Sequence, residues 1–201
     1  DHLTLQEGTY EGDVNWSKPQ PCDLPKAGAT LSDYPTVISA TPHEKVTIKG
    51  KWQLAQPGWM RVEDLTFAGN GAGLSIEAAG KPTITLKRLA FRDRSRGLVL
   101  KMDERVKVIC GRSLFLDDTD TLQIEGEGKV TFARSVFSSQ PANSQAKFVQ
   151  CTLIGPATKR SGSTDINCLS FNSMAEAAKM LQNTAGGRFD PKLNADFIDA
   201  G

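Results

Sequence analysis

The chain has 201 residues, a formal net charge of +1, and 39% hydrophobic and 23% charged residues. That is the size and balance of one folded domain, or one domain with an appendage. It offers no global field to draw in nucleic acid or an anionic membrane, and no apolar run approaches the ~18 residues of a membrane-spanning helix.

The chain opens on LTLQEGTY (3–10), mid-pattern and without Met, so its start says nothing about compartment. YPTVISA (34–40), KVTIKG (45–50) and KWQL (51–54) read as further strands. A Pro-rich insertion, NWSKPQPCDLPKAGAT (15–30), separates the first two. Long insertions in compact domains are often functional, so its Trp16 is a candidate for contact with a sugar ring. Tyr10, Tyr34, Trp52 and Trp59 share this first stretch, and Trp52 falls at an inward position that assigns it to the core.

A repeat follows. WMRVEDLTF, TITLKRLAF, KVICGRSLF, KVTFARSVF, AKFVQCTL and TDINCLSF end at Phe67, Phe91, Phe115, Phe137, Leu153 and Phe171, with spacings of 24, 24, 22, 16 and 18. Seven residues before the end stand Met60, Ile84, Val108 and Val130. Two before stand Leu65, Leu89, Ser113, Ser135, Cys151 and Leu169, whose small members suit a tapering interior. A second alternating run, GLSIE, GLVLK and TLQIE, recurs at the same period. Two period-two runs per unit, punctuated by Gly, Asn, Asp and Ser, predict about three short strands per turn of a parallel β-helix. A leucine-rich repeat fits less well, because only VEDLTFAGN carries the Asn of that pattern.

Stacking at this period pairs opposite charges: Glu77, Lys101 and Glu125; Asp64 with Arg88; Glu63 with Lys87; Arg94 with Asp118; Arg96 with Asp120. Two columns stand out. Arg88, Arg112 and Arg134 lie three before their run ends, an outward arginine column that suits the carboxylates or sulfates of an acidic glycan. The competing role is a solvated ladder paired to turn carboxylates such as Asp64. Asp93 over Asp117, with Asp118 and Asp120, forms a turn stack with the oxygen chemistry for Ca²⁺, although Arg92, Arg94 and Arg96 compete for it as ion-pair partners. No other cofactor is implied.

Near the end, SMAEAAKMLQN (173–183) is the one good helix, with Ser173 and Glu176 at capping-box spacing. It predicts a cap over the last coil. The four cysteines, at 22, 110, 151 and 168, lack metal-site spacing and read as separate thiols.

LTLQEGTYEG…YPTVISATPHEKVTIKG resembles the opening coils of right-handed parallel β-helix proteins of the pectin-lyase-like superfamily, and FDPKLNADFIDAG resembles their tails. That resemblance implies an all-β, right-handed parallel β-helix solenoid over residues 1–172, with a capping helix and tail over 173–201. It implies no catalytic residue: His2 and His43 stand outside any Gly-His element, Asp117-Asp118 is a single pair, and the Arg-x-Pro context of the lyases is missing. The expectation is six or seven coils forming a non-catalytic module of a surface or secreted protein. Such a module would be a rigid spacer, or a face for an acidic polysaccharide or for other domains of a larger chain. A polysaccharide lyase or hydrolase acting on an acidic glycan is the alternative. No nucleic-acid partner is expected.

Overall fold

The computed structural model describes residues 2–17, 36–93, 95, 97–116, 122–139, 146–155, 164–177 and 179. Within them the chain winds through three all-parallel sheets, as the period-two runs require. Sheet A holds β1 (His2–Leu5), β4 (Thr36–Ala40), β7 (Met60–Glu63), β10 (Thr83–Lys87), β13 (Lys107–Gly111), β16 (Lys129–Ala133), β18 (Ala146–Val149) and β20 (Thr164–Ile166). Sheet B holds β2 (Gly8–Tyr10), β5 (Val46–Ile48), β8 (Leu65–Ala68), β11 (Ala90–Arg92), β14 (Leu114–Phe115), β17 (Val136–Phe137), β19 (Thr152–Ile154) and β21 (Leu169–Phe171). Sheet C has five strands: β3 (Val14–Ser17), β6 (Lys51–Ala55), β9 (Gly73–Ala78), β12 (Gly97–Met102) and β15 (Leu122–Gly126).

This is a parallel β-helix. Sheets A and B step through eight coils, not six or seven, because the units of 16 and 18 residues carry an A and a B strand each. The first coil also has a strand where the sequence suggested a loop. Asn15–Ser17 belongs to β3, since Val14 and Trp16 alternate inward as ladder partners of Trp52 and Leu54.

The core is a set of columns. Phe67, Phe91, Phe115 and Phe137 stack with ring centroids 5.2, 5.1 and 4.6 Å apart and planes within 19° of parallel. Phe132 and Phe148 form a second stack at 5.3 Å, set edge-on to the first. Trp52 is buried and meets Phe67 edge-on, as its inward position predicted. The registers Ile84↔Met60, Leu86↔Cys110 and Phe91↔Phe115 match the sequence alignment. The last unit is one residue off: Ile154, not Leu153, pairs with Phe171, so Cys168 rather than Leu169 sits beside Cys151.

The small polar members of the inward column have a backbone task. Ser113 Oγ accepts from the Leu89 N–H at 3.2 Å and donates to the Gly111 carbonyl at 3.1 Å; Ser135 repeats this one coil on, with Ser113 N–H and Ala133 O. Each hydroxyl satisfies backbone at a buried corner that an aliphatic side chain would leave unpaired. Cys151 extends the column and donates to the Phe132 and Val149 carbonyls at 3.5 Å.

Burial pushes the Cys110 thiol up to about 12 and that of Cys151 up to about 11, from a model-compound value of 9.0. Both are therefore held protonated, and the thiolate is the reactive form. Alkylation at pH 8, read by mass spectrometry, should modify half-exposed Cys168 before Cys110 and Cys151, which are spared until urea unfolds the chain. The sign for stability follows: the contribution of the two buried thiols is complete below pH 9 and drains away as pH rises through 11 to 12. Rapid labelling of Cys110 in the folded protein would contradict this core.

At the C-terminal end the segment 174–177 is helical (α1). Glu176 N–H donates to Ser173 Oγ at 3.2 Å, and the Glu176 carboxylate accepts from Asn172 N–H at 2.8 Å, one residue earlier than a standard capping box. Ala177 is buried with Phe171, Ile154, Val136 and Leu114, so α1 covers part of the last coils. The continuation through 183 lies outside the described residues apart from Lys179.

Candidate functional site

In six of the eight coils, from the third onward, the chain turns between sheet A and sheet B through a single left-handed residue: Asp64, Arg88, Arg112, Arg134, Gln150 and Asn167, with φ of 52–64°. The predicted arginine column is therefore the corner of the solenoid. Its amides join the coils, Arg88 N to Gly111 O, Arg112 N to Ala133 O and Arg134 N to Val149 O, at 2.9–3.0 Å. Its side chains are largely engaged. Arg88 forks onto Asp64, with Nε to Oδ1 and Nη2 to Oδ2 at 2.6 Å, and lies 3.6 Å from Glu63. Arg134 Nε donates to Gln150 Oε1 at 3.3 Å. Arg112 is half-buried. The column thus contains the turn-carboxylate ladder named as its competing role, at least at Arg88.

Trp16 is half-buried on β3 rather than raised on a loop tip. With Leu3, Leu5, Tyr10, Val14 and Trp52 it lines a cavity of about 580 Å³ at the first coil, where Leu3 and Val14 point inward but are 52% and 40% exposed. Asp93 is exposed at a left-handed turn and lies 3.6 Å from Arg92. Asp117, Asp118 and Asp120, like Arg94 and Arg96, lie outside the described residues. Among the described residues no three His, Cys, Asp or Glu gather as a metal site. Of the other predicted charge pairs, Lys101 meets Glu125 at 3.4 Å and Lys87 registers with Glu63.

A different constellation emerges at the edge where sheet C hands over to sheet A. A groove of about 320 Å³ is lined by Trp59, Lys81, Thr83, Glu104, Arg105, Lys107 and Lys129. Thr83 pairs with Lys107 and Lys107 with Lys129; Trp59, the residue before Met60, precedes Thr83 in the same column. Lys81 and Arg105 stand two residues ahead of Thr83 and Lys107, in the turns that feed β10 and β13. Four cations face one carboxylate here, in a chain whose whole net charge is +1. Lys107 and Lys129 head the runs KVIC and KVTF, so the signal was in the sequence, at the start of each unit.

No protein-family model matches the chain, and no curated protein or solved structure shows significant similarity to it.

Proposed function

We propose that the chain is a non-catalytic β-helix module of a surface or secreted protein, a rigid spacer that engages an acidic glycan through the groove beside sheet A. The observation that carries this reading is the groove itself: four cations and a half-buried Trp59 against the lone carboxylate of Glu104. An array of that kind binds by charge and by an apolar ring face. It supplies no second carboxylate to share acid and base work with Glu104. The all-parallel architecture supports the spacer role, since every coil is tied to its neighbours through backbone ladders. The likeness of the opening segments to pectin-lyase-like proteins supports the glycan and the extracellular setting.

The test is incubation with a panel of uronic-acid polysaccharides, with and without Ca²⁺, scoring both retention and chain cleavage. The expected result is binding without products, weakened by salt, and weakened about tenfold or more by the double change Lys107→Gln and Lys129→Gln, from ~1 kcal/mol per desolvated charge contact. Cleavage products would overturn the module reading in favour of a lyase or hydrolase. No binding to any acidic polysaccharide would remove the glycan.

A further inference from the structure

We infer that the open face of the first coil is a docking edge for an extended basic peptide segment of a partner protein, which adds a strand to β2, continues over β3 and turns its apolar side chains into the bore. This is independent of the glycan reading, because the face shares no residue with the groove of Trp59 and Lys107.

β1, β2 and β3 are the outermost strands of sheets A, B and C at this end. Hydrogen bonds fix which backbone groups remain open. Gly8 N–H donates to Lys45 O at 3.2 Å and Lys49 N–H donates to Tyr10 O at 2.9 Å, so Gly8 and Tyr10 face the second coil. Backbone groups alternate sides along a strand, which turns the N–H and C=O of Thr9 to the open side. Proteins commonly blunt such edges with charge or proline, yet β1, β2 and β3 contain no lysine, no carboxylate and no proline. Core positions are uncovered as well. Leu3 and Val14 point inward at 52% and 40% exposure, and with Tyr10 and Trp16 they rim the cavity of about 580 Å³.

The charges around the face select the occupant. Residues 2–17 include Glu7, Glu11 and Asp13 and no Lys or Arg. By register each acid stands beside a lysine of the second coil: Glu7 by Lys45, Glu11 by Lys49 and Asp13 by Lys51. Glu11 meets Lys49 at 3.4 Å and its side chain is still 75% exposed. A strand laid on the open side with basic residues at these three places meets the same carboxylates from above. A second copy packed through this face would instead bring three more carboxylates against them. The opposite end of a second copy offers β3 no sheet C partner among the described residues. An uncharged apolar ligand would fill the bore and leave Thr9 and the acids unused. A basic, apolar peptide engages edge, bore and rim together, which is strand addition with charge as the selector.

The probe is a fluorescent peptide copying residues 45–54, KVTIKGKWQL, whose three lysines already match the three acids from the second coil. Binding to the whole protein is followed by anisotropy and located by amide hydrogen exchange. The expected result is saturable binding, weakened by salt, with slower exchange at Thr9 and no change across 83–116. Two controls alter only the peptide. Replacing its three lysines by Glu should weaken binding about tenfold or more. N-methylating its Ile, which removes the N–H aimed at Thr9 C=O, should weaken it about threefold or more. Thr9→Pro should weaken it similarly and leave the ladder to the second coil intact, since proline is tolerated where an edge N–H faces solvent. Equal affinity for the Glu peptide or the N-methylated peptide would overturn strand addition. So would binding without protection of Thr9, or no binding at about 1 mM peptide, the weak limit for a specific segment. Reversible dimerisation in sedimentation, abolished by Thr9→Pro, would assign the face to a second copy and overturn the partner.

Discussion

Replacing Phe115 by Ala should destabilise the protein by about 3–5 kcal/mol, the range for deleting a fully buried aromatic side chain. Phe115 is 1% exposed and sits inside the stack, 5.1 Å from Phe91 and 4.6 Å from Phe137, with the edge of Phe132 at 5.8 Å. Truncation opens a void with rings on three sides, and coils tied by backbone ladders cannot close on it. A domain has only ~5–15 kcal/mol in total, so the variant should stand near the unfolding threshold. Urea titration against the parent protein measures the loss, with Phe115→Leu as the partial case at about 1.5 kcal/mol. A loss under ~1 kcal/mol for the Ala variant would mean that the stack is not the core. In a solenoid the damage should also be regional, with amide exchange accelerating most in the coils that carry Phe91, Phe115 and Phe137.

Gly50→Ala should be comparably severe, for the opposite reason. Gly50 is buried between β5 and β6, and a Cβ there would lie 1.7 Å from the Gly12 carbonyl oxygen and 2.4 Å from its carbon. The first coil is clamped at that corner by Lys49 N–H to Tyr10 O at 2.9 Å and Lys51 N–H to Asp13 Oδ1 at 2.8 Å. Rigid backbone on both sides leaves one escape, which is for coil one to lift away. The expected cost is at least ~3 kcal/mol, capped by the free energy that docks that coil. Hydrogen exchange should show 2–16 losing protection while 83–116 keeps it. Gly111→Ala is the control: its nearest contact would be an ordinary 3.8 Å, and it should change stability by no more than ~0.5 kcal/mol. Equal protection of coil one in Gly50→Ala and the parent would refute the clamp.

The fold was legible because the chain repeats a physical need. Inward positions must be apolar in every coil, so Phe67, Phe91 and Phe115 recur at 24 residues and fix the register. The signal weakened where units shortened: after Leu153 the run-end rule slipped by one, because Ile154 and Leu153 are equally apolar and either satisfies the pattern. Trp16 was misplaced for a related reason, as the prolines after Ser17 masked a four-residue strand.

The site was less legible. Asp, Arg, Gln and Asn share no obvious property, and only Asp64 and Asn167 are residue types that favour the left-handed conformation all six adopt. The corner is a backbone requirement that leaves side chains weakly constrained, so the arginines looked chosen for a ligand. A lysine at the head of a strand is commonplace, so Lys107 and Lys129 do not stand out in one dimension. Only the ladder register makes them neighbours, and only the turns place Lys81 and Arg105 beside them.

The uneven length of the sheets bears on how such a rod would carry load. Ladder hydrogen bonds point along the axis, so tension applied to the two ends loads the junctions between coils in series. Between the coils of β12 and β15, sheet C contributes five register pairs beside five from sheet A and two from sheet B. Beyond β15, among the described residues, sheet C contributes none, and the β16–β18 and β17–β19 ladders carry four and two. A pull along the axis would peel the C-terminal coils first and leave the three-walled trunk, with Trp59 and Lys107 on it, as the mechanically robust part of the solenoid.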